Sequence, residues 1–408
     1  MNYYIGSTVL GLVSLFIFNK YLKNLQQSSI KKTVVVVGGG YAGMMVCKIL
    51  DSKFNVILIE QRNAFFHKVG SPRILAEYEY YKKLYMSYEN IVRYGRVIHQ
   101  TAIDISSEKV VLKNGEEVTF DYLVIATGTT NPGPYKSNLP VHEAPQFLHN
   151  LTKTLKDAKK ILIVGGGGVG VEVAGEIVHL YNDKEITIIS HSEKLVCKTF
   201  SDKFHTNLQK KLSDHNIQVI VDKLQFPKDQ QRALEESSFI VPFVSEKSVY
   251  TTDSGRQLEA DLVFWTVGNK LNNTPLQNHF YKALNENGRV KVNRQLQVEG
   301  YQNIFAVGDI NNIDEMKNAY HAHYHGTIAA NNIISLDSSK DKINAKLSSH
   351  KSMKPSLVVS FGPSDGIGQM YGWYIGSYFA TIIQSKHLFT DTFYQLMNKP
   401  KPIYFSKI

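Results

Sequence analysis

The chain has 408 residues, 43% of them hydrophobic and 20% charged, which excludes extensive disorder and predicts two or three folded domains. Its formal net charge of +10 would suit an anionic surface. Because no nucleic-acid recognition motif accompanies that charge, we expect membrane lipid rather than nucleic acid as the partner.

The first 19 residues contain no charged side chain and are mostly apolar. As a helix they would extend about 28 Å, which is enough to span a bilayer. The first positive charges follow this segment, at Lys20 and Lys23. We therefore predict an anchor over residues 1–22 that holds the body of the protein on the cytosolic side of a membrane. The alternatives are a hairpin or monotopic anchor and a soluble core helix.

Residues 34–37 are four consecutive valines, which predicts a strand that is buried on both faces. A glycine-rich turn, a helix over residues 44–50 and a second buried strand over residues 55–59 follow, and this order makes a β-α-β dinucleotide-binding unit. In such a unit the first glycine of the motif permits the tight turn, and the second lets the backbone approach a pyrophosphate. The third allows the helix to pack closely on the strand, and an acid after the second strand binds ribose hydroxyls. The predicted site residues of this unit are Gly38, Gly39, Gly40, Tyr41, Ala42, Gly43 and Glu60.

The same order recurs later, with a strand at residues 161–164, a helix at 171–181 and a strand at 185–189. The glycines of the second turn are Gly165, Gly167 and Gly170. This unit ends in Ser190 and His191 instead of an acid. Because no carboxylate repels a 2′-phosphate there, we expect NADH and NADPH both to be accepted, with His191 or Lys194 assisting.

The remaining segments complete an α/β fold with two Rossmann-like dinucleotide-binding domains. Residues 131–145 are rich in proline and connect the two units, a later strand over 303–307 ends in Gly308-Asp309, and residues 335–354 have the composition of a polar linker. We predict the first domain at residues 33–150 and 276–335, the second at 151–275, and a C-terminal module at 355–408.

Two segments resemble the two-dinucleotide-binding flavoprotein superfamily: residues 121–128, a strand that leads into Ala-Thr-Gly, and residues 304–309, a strand that ends in Gly-Asp. The resemblance narrows to apoptosis-inducing-factor-like proteins of the ferroptosis-suppressor type and covers nearly everything from residue 33 onward. The segments that narrow it are residues 66–73, 167–176, 296–300 and 365–369. Members are often held on membranes by an N-terminal acyl group. This chain has no glycine at position 2, and the apolar segment is expected to substitute.

The resemblance implies FAD at the first glycine turn, NADH or NADPH at the second, and NAD(P)H:quinone reduction. It implies that Asp309 binds the ribityl chain of FAD, that Arg73 contacts FAD, and that a backbone group near Thr101 meets the adenine end. The Ala-Thr-Gly turn is expected to add Thr127 and Gly128 to the cofactor site. The two cysteines of the chain, Cys47 and Cys197, form no Cys-x-x-Cys pair, so a disulfide relay of that kind is excluded.

This chemistry needs no nucleophile or metal, but the protein must supply positive potential near flavin N1 and O2. Lys317, eight residues after Asp309 and near a predicted helix start, is our catalytic candidate, and a solvated lysine is the alternative. The resemblance places Glu172 near the nicotinamide as a second catalytic candidate. Glu172 and Glu176 lie one turn apart, and the alternative for both is a helix-surface carboxylate.

Four histidines are candidates for chemistry. His321 and His325 could share a metal at i, i+4 spacing, but no acid cluster or cysteine matches them in sequence. We therefore expect no metal, and packing beneath the flavin for these two and for His323 between them. His67 is either a proton donor to quinone or a core residue, and the core is favoured.

The sequence thus predicts a membrane-anchored, FAD-dependent NAD(P)H oxidoreductase that reduces a lipid quinone. One alternative is an NAD(P)H-binding cell-death or redox-signalling flavoprotein with weak turnover. Another is a reductase of a ferredoxin-like protein, which would need an exposed basic docking face. The oligomeric state is left open.

Overall fold

The computed structural model describes residues 31–131, 141–225, 247–267 and 269–400. The strands are β1 (Thr33–Val37), β2 (Asn55–Ile59), β3 (Phe65–Phe66), β4 (Tyr85–Met86), β5 (Arg96–Ile98), β6 (Ala102–Ile105), β7 (Lys109–Leu112), β8 (Glu117–Thr119), β9 (Tyr122–Ile125), β10 (Thr129–Thr130), β11 (Lys160–Val164), β12 (Glu185–Ser190), β13 (Gln218–Val221), β14 (Ser248–Thr251), β15 (Gln257–Ala260), β16 (Leu262–Trp265), β17 (Lys270–Leu271), β18 (Ile304–Ala306), β19 (Leu357–Ser360), β20 (Gly366–Met370) and β21 (Trp373–Ile375). The α-helices are α1 (Tyr41–Leu50), α2 (Ala144–Asp157), α3 (Gly168–Leu180), α4 (Asp202–Asp214), α5 (Ala319–Ser338), α6 (Ser377–Ala380) and α7 (Thr390–Leu396).

The predicted anchor over residues 1–22 lies outside the described residues, as does most of the proline-rich connection. Across the described ranges, no helix combines the length and the apolar character that a membrane crossing requires.

The first dinucleotide-binding unit is built on a parallel sheet of five strands in the order β18-β9-β1-β2-β5. The valine run of β1 is buried on both faces, as predicted. Helix α1 follows β1 and packs against α5. Gly326 of α5 permits this approach, because a Cβ there would lie 2.4 Å from the carbonyl oxygen of Ala42. The chain returns to this sheet late, through β18, and so brings Asp309 beside the first glycine turn.

The second unit repeats this arrangement on a four-stranded parallel sheet in the order β13-β12-β11-β16. The strands before and after the helix pair in the same register in both units. The last residue of β1, Val37, pairs with Ile59 of β2, and the last residue of β11, Val164, pairs with Ile189 of β12. Both helices begin earlier than predicted, at Tyr41 and Gly168. The spacing of apolar residues does not reveal these starts. The first turn of each helix is glycine-rich and has too few apolar side chains to show a helical pattern.

The C-terminal module contains the antiparallel sheet β19-β20-β21, followed by α6, a π-helical turn over residues 381–385, and α7. It packs on α3, where a Cβ on Gly175 would lie 2.8 Å from the Cα of Phe361. The stretch at residues 335–354 is not a free linker. Helix α5 continues to Ser338, Ser348 donates its N–H to Asn332 at 2.7 Å, and His350 donates its N–H to the carbonyl of Arg294 at 2.6 Å. These two hydrogen bonds are donated by backbone N–H groups, which every composition offers, so composition alone did not reveal the packing of this stretch.

Candidate active site

A cavity of about 1890 Å³ is lined by both β-α-β units and by the C-terminal module. Helices α3, α5 and α7 and the π-helical turn all contribute to its wall. The predicted site residues that line it are Gly38, Gly40, Tyr41, Ala42, Glu60, Thr101, Thr127, Gly128, Glu172, Asp309 and Lys317. Residues that lie far apart in sequence therefore meet around one space, as the predicted chemistry requires.

The first glycine turn has the geometry that a pyrophosphate site needs. Gly38 has φ +102°, a conformation that side-chain-bearing residues rarely adopt. A Cβ on Gly43 would lie 1.9 Å from the carbonyl oxygen of Gly38, so only glycine lets the helix pack this close. A Cβ on Gly40 would meet no protein atom within 4 Å. The space beside Gly40, at the N-terminus of α1, therefore fits an anionic group.

Glu60 lies at the end of β2 and accepts a hydrogen bond from the Gly39 N–H at 2.6 Å. Arg62 donates to both of its carboxylate oxygens, from Nε at 3.0 Å and from Nη2 at 2.8 Å. Burial by itself would raise the pKa of Glu60, but the charge and hydrogen bonds of Arg62 outweigh it and hold the pKa at about 2. The carboxylate is thus ionised at neutral pH and can accept hydrogen bonds from ribose hydroxyls.

The strand ends next to this turn present further polar groups to the cavity. Thr127 has a buried side-chain oxygen without a hydrogen-bond partner in the described part of the chain. Asp309 accepts from Thr129 through Oδ2 at 2.7 Å, and its backbone carbonyl accepts from Arg289. An unsatisfied buried hydroxyl beside an open glycine turn is what a bound dinucleotide would explain, so these residues fit the cofactor predicted here.

The second glycine turn has the same design. Gly165 has φ +116°, a Cβ on Gly170 would lie 2.0 Å from the carbonyl oxygen of Gly165, and a Cβ on Gly167 would meet nothing within 4 Å. By register, Ser190 occupies the position that Glu60 has in the first unit. Ser190 is buried and its hydroxyl accepts the N–H of Ser192.

Several predicted residues do not line the cavity. From the second unit its wall includes Gly168, Val169 and Glu172 on α3, together with Val196, Lys223, Leu224, Gln225, Asp253, Trp265 and Val267. The predicted residues absent from the cavity wall of the described chain are Gly39, Gly43, Arg73, Gly165, Gly167, Gly170, Ser190 and His191. A Cβ on Gly39 would meet the ring of Tyr88 and one on Gly43 would meet the Gly38 carbonyl, so both face protein atoms. The second turn contributes Gly168 and Val169 to the wall but not its other glycines.

Glu172 lies on α3 at the cavity wall, where Gln384 of the π-helical turn donates to it at 3.0 Å. Burial and the neighbouring charge of Glu176 raise the pKa of Glu172 to about 8. Glu172 therefore holds a proton at neutral pH and is not a solvated surface carboxylate. A perturbed, protonated carboxyl at a cavity wall is a candidate for acid chemistry.

Arg73 forms a buried ion pair away from the cavity wall. Its Nε lies 2.7 Å from Oε2 of Glu176, and its Nη2 donates to the carbonyl of Ser385 at 2.8 Å. Both side chains are fully buried. A buried guanidinium needs a carboxylate partner, and Glu176 meets that need, while the FAD contact that the resemblance implies for Arg73 stays a prediction.

Lys317 lines the cavity just before α5, whose N-cap is Asn318. Its ammonium donates to Oδ1 of Asn311 at 3.0 Å. Burial and the positive charge of Arg289 lower the pKa of Lys317 to about 8. Lys317 is therefore still a cation at neutral pH, on the same cavity wall as Asp309.

The helix α5 histidines meet an acid that sequence reasoning missed. Glu315, His325 and His350 present ligand-type atoms within 4.8 Å of one another. Nδ1 of His325, however, accepts the Gly308 N–H at 3.2 Å and lies 3.1 Å from the amide nitrogen of Asn311. An accepting Nδ1 leaves the proton of a neutral imidazole on Nε2, which faces Glu315 Oε1 at 2.7 Å. This tautomer favours a hydrogen-bonded His-Glu cluster behind the Gly308 turn over a metal centre.

His321 is buried, with its Nε2 3.8 Å from Oε2 of Glu315. His323 and His67 take different places. His323 lines the cavity. His67 is fully buried, with Nε2 2.7 Å from the carbonyl of Leu388 and Nδ1 3.1 Å from the hydroxyl of Tyr41. Burial lowers the pKa of His67 to about 4, so it is neutral at physiological pH. It belongs to the core, as favoured from the sequence.

Sequence reasoning missed Arg62, Asn311 and Gln384, each of which holds a predicted residue in place. Only Arg62 had a local signal, since it lies two residues after the ribose-binding acid and can turn back onto it. Asn311 and Gln384 have no motif and depend on the tertiary fold.

The chain is similar to known proteins along most of its length. Residues 32–326 match the family model of the pyridine nucleotide-disulphide oxidoreductases. Apoptosis-inducing factor homolog B of Dictyostelium discoideum is 42% identical over 388 residues, which cover 92% of this chain and 99% of that protein. Ferroptosis suppressor protein 1 of Taeniopygia guttata is 31% identical over 377 residues, which cover 90% of this chain and 96% of that protein. The solved structure of the sulfide:quinone oxidoreductase of Aquifex aeolicus is similar in fold, with a TM-score of 0.70 and 17% identity over 90% of this chain and 92% of that one.

Proposed function

Because this chain belongs to the pyridine nucleotide-disulphide oxidoreductase family, we propose that it reduces a quinone at the cavity where its two dinucleotide-binding units meet. It is an FAD-dependent NAD(P)H oxidoreductase of the apoptosis-inducing-factor-homologue and ferroptosis-suppressor type. In the proposed reaction NAD(P)H, one proton and the quinone give NAD(P)⁺ and the quinol. Bound FAD supplies hydride acceptance at N5 and transfer of two electrons to the acceptor.

The observation that carries the proposal is the continuity of the cavity. It extends from Glu60, beside the first glycine turn, to Glu172 on the helix after the second. A nicotinamide entering from the second unit and a flavin held by the first would therefore share one continuous space. The family does not dictate a disulfide acceptor here, because Cys47 is buried, with its pKa raised by burial, and is not paired with Cys197.

The chain's own residues suit a quinone. The C-terminal module contributes an apolar wall that can receive a quinone ring, at Ile383, Phe389, Phe393 and Leu396. Glu172 is protonated at neutral pH and can deliver a proton to a reduced acceptor. Lys317 supplies positive charge where negative charge develops. The similarly folded Aquifex protein is named for reducing a quinone, which supports the same acceptor class here.

We further propose that the protein works at a membrane, with the apolar residues 1–19 as its anchor and the catalytic body on the cytosolic side. The support is the uncharged N-terminal sequence, the lysines that follow it and the lipid solubility of a long-chain quinone.

Steady-state oxidation of NADH and NADPH by a short-chain, water-soluble quinone tests the proposed function. We expect saturable turnover in the range of ordinary enzymes, about 1 to 10³ per second. A nucleotide-binding signalling protein would instead bind NAD(P)H and turn over very slowly with every quinone tried. A requirement for a small iron-sulfur protein as acceptor would favour the ferredoxin-reductase alternative.

A further inference from the structure

A buried carboxylate lies behind the turn at residues 308–310 and is surrounded by imidazoles. The side chain of Glu315 is only 2% exposed. Nε2 of His325 lies 2.7 Å from its Oε1, while Nε2 of His350 lies 3.1 Å and Nε2 of His321 lies 3.8 Å from its Oε2. We call these four residues the Glu315 cluster. A buried carboxylate costs stability unless hydrogen bonds compensate for it, and the proposed reaction uses none of the four groups directly.

The Glu315 cluster carries one negative charge at neutral pH. Burial opposes the ionisation of Glu315, but the hydrogen bond from His325 and the two neighbouring imidazoles outweigh it and lower the pKa of Glu315 below its ordinary value. Burial lowers the pKa values of His321 and His350. The ring of His325 is neutral as well, because its Nδ1 accepts hydrogen bonds. The charge of Glu315 can therefore act on groups nearby.

One line of hydrogen bonds leads from Glu315 to Lys317. His325 directs Nε2 to Glu315, and its Nδ1 accepts from Nδ2 of Asn311 at 3.1 Å. Asn311 is fully buried, and its Nδ2 also donates to the carbonyl of Ala306 at 3.1 Å, which fixes the orientation of the amide. Its Oδ1 thus faces the ammonium of Lys317, which donates to it at 3.0 Å. The carboxylate, imidazole and amide together hold the amine at the cavity wall.

The same imidazole holds the turn that carries Asp309. Gly308 donates its N–H to Nδ1 of His325 at 3.2 Å. Gly308 has φ +75°, a conformation that side-chain-bearing residues rarely adopt. Asp309 follows it and lines the cavity. One ring nitrogen therefore serves both the turn before Asp309 and the amide that holds Lys317.

A second imidazole of the cluster holds the start of helix α5. Asn318, the N-cap of α5, accepts through Oδ1 from the backbone N–H of His321 at 3.0 Å and from its Nδ1 at 2.7 Å. Asn318 follows Lys317 directly in the chain. Both the amine of Lys317 and the backbone after it are therefore tied to groups that surround Glu315.

Charge links Glu315 to Lys317 as well. The charged groups that face Lys317 are Arg289, Asp309, Asp314 and Glu315. Burial and Arg289 lower the pKa of Lys317, and among the three acids that oppose this Glu315 has the largest effect. Glu315 is buried, whereas Asp314 is exposed to solvent that screens its charge. Loss of the Glu315 charge should therefore make Lys317 easier to deprotonate.

We propose that Glu315 is a positioning residue that acts through His325 and Asn311 to fix Lys317 and the Gly308-Asp309 turn at the cavity wall. Among the described residues, Glu315 is not part of that wall. The inference goes beyond the proposed function, because it gives a task to a cluster outside the cavity. It rests on the proposed function in one respect, since Lys317 must lie beside the flavin that NADH reduces.

A matched pair of neutral substitutions in the full-length holoprotein tests the charge of Glu315. The rate of flavin reduction by NADH, followed by anaerobic stopped flow, should fall in the wild type as Lys317 loses its proton. Glu315→Gln keeps the size of the side chain and should move the midpoint of this fall about one pH unit lower, a tenfold change in the proton affinity of Lys317. Asp314→Asn removes the same charge one residue away and should leave the midpoint unchanged. Lys317→Ala should abolish the fall.

Binding of FAD to the full-length apoprotein tests the hold on the turn. In His325→Asn the amide oxygen can take the place of Nδ1 and accept the Gly308 N–H. In His325→Gln the longer side chain reaches toward Glu315 and leaves that N–H unpaired. The dissociation constant of FAD should therefore be at least about tenfold higher for His325→Gln than for His325→Asn.

Three results would overturn the proposal and leave the proposed function standing. The first is a wild-type midpoint in Glu315→Gln, or an equal shift in Asp314→Asn, while Lys317→Ala abolishes the fall. The second is equal FAD binding by the two His325 variants. The third is a stoichiometric metal ion in the purified protein that Glu315→Gln loses, which would assign the cluster to metal binding. If Lys317→Ala itself leaves reduction by NADH unchanged, the role of Lys317 in the proposed function is wrong and this inference is wrong with it.

Discussion

Glu172 and Lys317 change charge near the same pH, with opposite signs. The folded pKa of each is about 8, raised for the carboxyl by burial and Glu176 and lowered for the amine by burial and Arg289. Below pH 8 the cavity holds a neutral acid and a cation, and above pH 8 it holds an anion and a neutral amine. Only the first state can donate a proton to an acceptor and stabilise negative charge.

We therefore expect quinone reduction to fall as the pH rises through about 8. Glu172→Gln removes the donor and should slow quinone-dependent oxidation of the reduced enzyme by about 10² to 10⁴-fold, while its reduction by NADH changes little. Lys317→Ala should slow reduction by NADH. Anaerobic stopped-flow measurements of each half-reaction against pH distinguish the two residues. If Glu172→Gln changes neither the rate of quinone-dependent oxidation nor its decrease above pH 8, Glu172 is not the donor.

The sequence predicted these two residues but not the groups that set their behaviour. Glu172 has its hydrogen-bond partner 212 residues away at Gln384, and the Arg73-Glu176 pair spans 103 residues. Such contacts follow from how the C-terminal module packs on α3, and no local pattern records that packing. The FAD contact expected of Arg73 comes from the family resemblance, whereas its ion pair with Glu176 depends on that packing.

At the scale of elements, both β-α-β units were predictable because their signals are local. Buried β-branched runs and glycines at fixed spacing determine strand, turn and helix within about thirty residues. The polar stretch at residues 335–354 was misread as a linker because hydrogen bonds such as Ser348 to Asn332 leave no apolar periodicity.

The two glycines of the first turn should respond differently to alanine. Gly40→Ala adds a methyl where no protein atom lies within 4 Å, so the apoprotein should keep its stability but bind FAD at least about tenfold more weakly. Gly43→Ala places a methyl 1.9 Å from the Gly38 carbonyl, which should destabilise the apoprotein by about 3 kcal/mol. FAD titration and thermal unfolding of the apoproteins measure the two effects. Equal unfolding midpoints for the two variants would contradict this division of roles.

The end of β12 should control the choice of nucleotide. Ser190 occupies the register position of Glu60, so Ser190→Glu would place a carboxylate where a 2′-phosphate binds. The wild type should use NADH and NADPH comparably, and Ser190→Glu should lower kcat/KM for NADPH relative to NADH by about tenfold or more. Ser192→Glu adds the same charge two residues further on and is the control. A wild type with strong NADH preference would show that another group already excludes NADPH.

For the whole molecule, the proposed anchor and the described cavity lie in separate stretches of the chain. The described residues that line the cavity run from Val37 onward, and β1, the first strand of the described ranges, begins at Thr33. The sequence favours this division, because the apolar run ends before the first valine strand begins.

Deletion of residues 1–30 should therefore leave FAD content and turnover with a water-soluble quinone unchanged, because every described cavity residue is retained. Turnover with a long-chain quinone embedded in vesicles should fall, since the local concentration of enzyme at the lipid surface drops when the proposed anchor is removed. The measurement compares kcat/KM for both quinones in the full-length and shortened proteins. Equal loss with both quinones would mean that residues 1–30 support the fold or the site instead of the membrane contact.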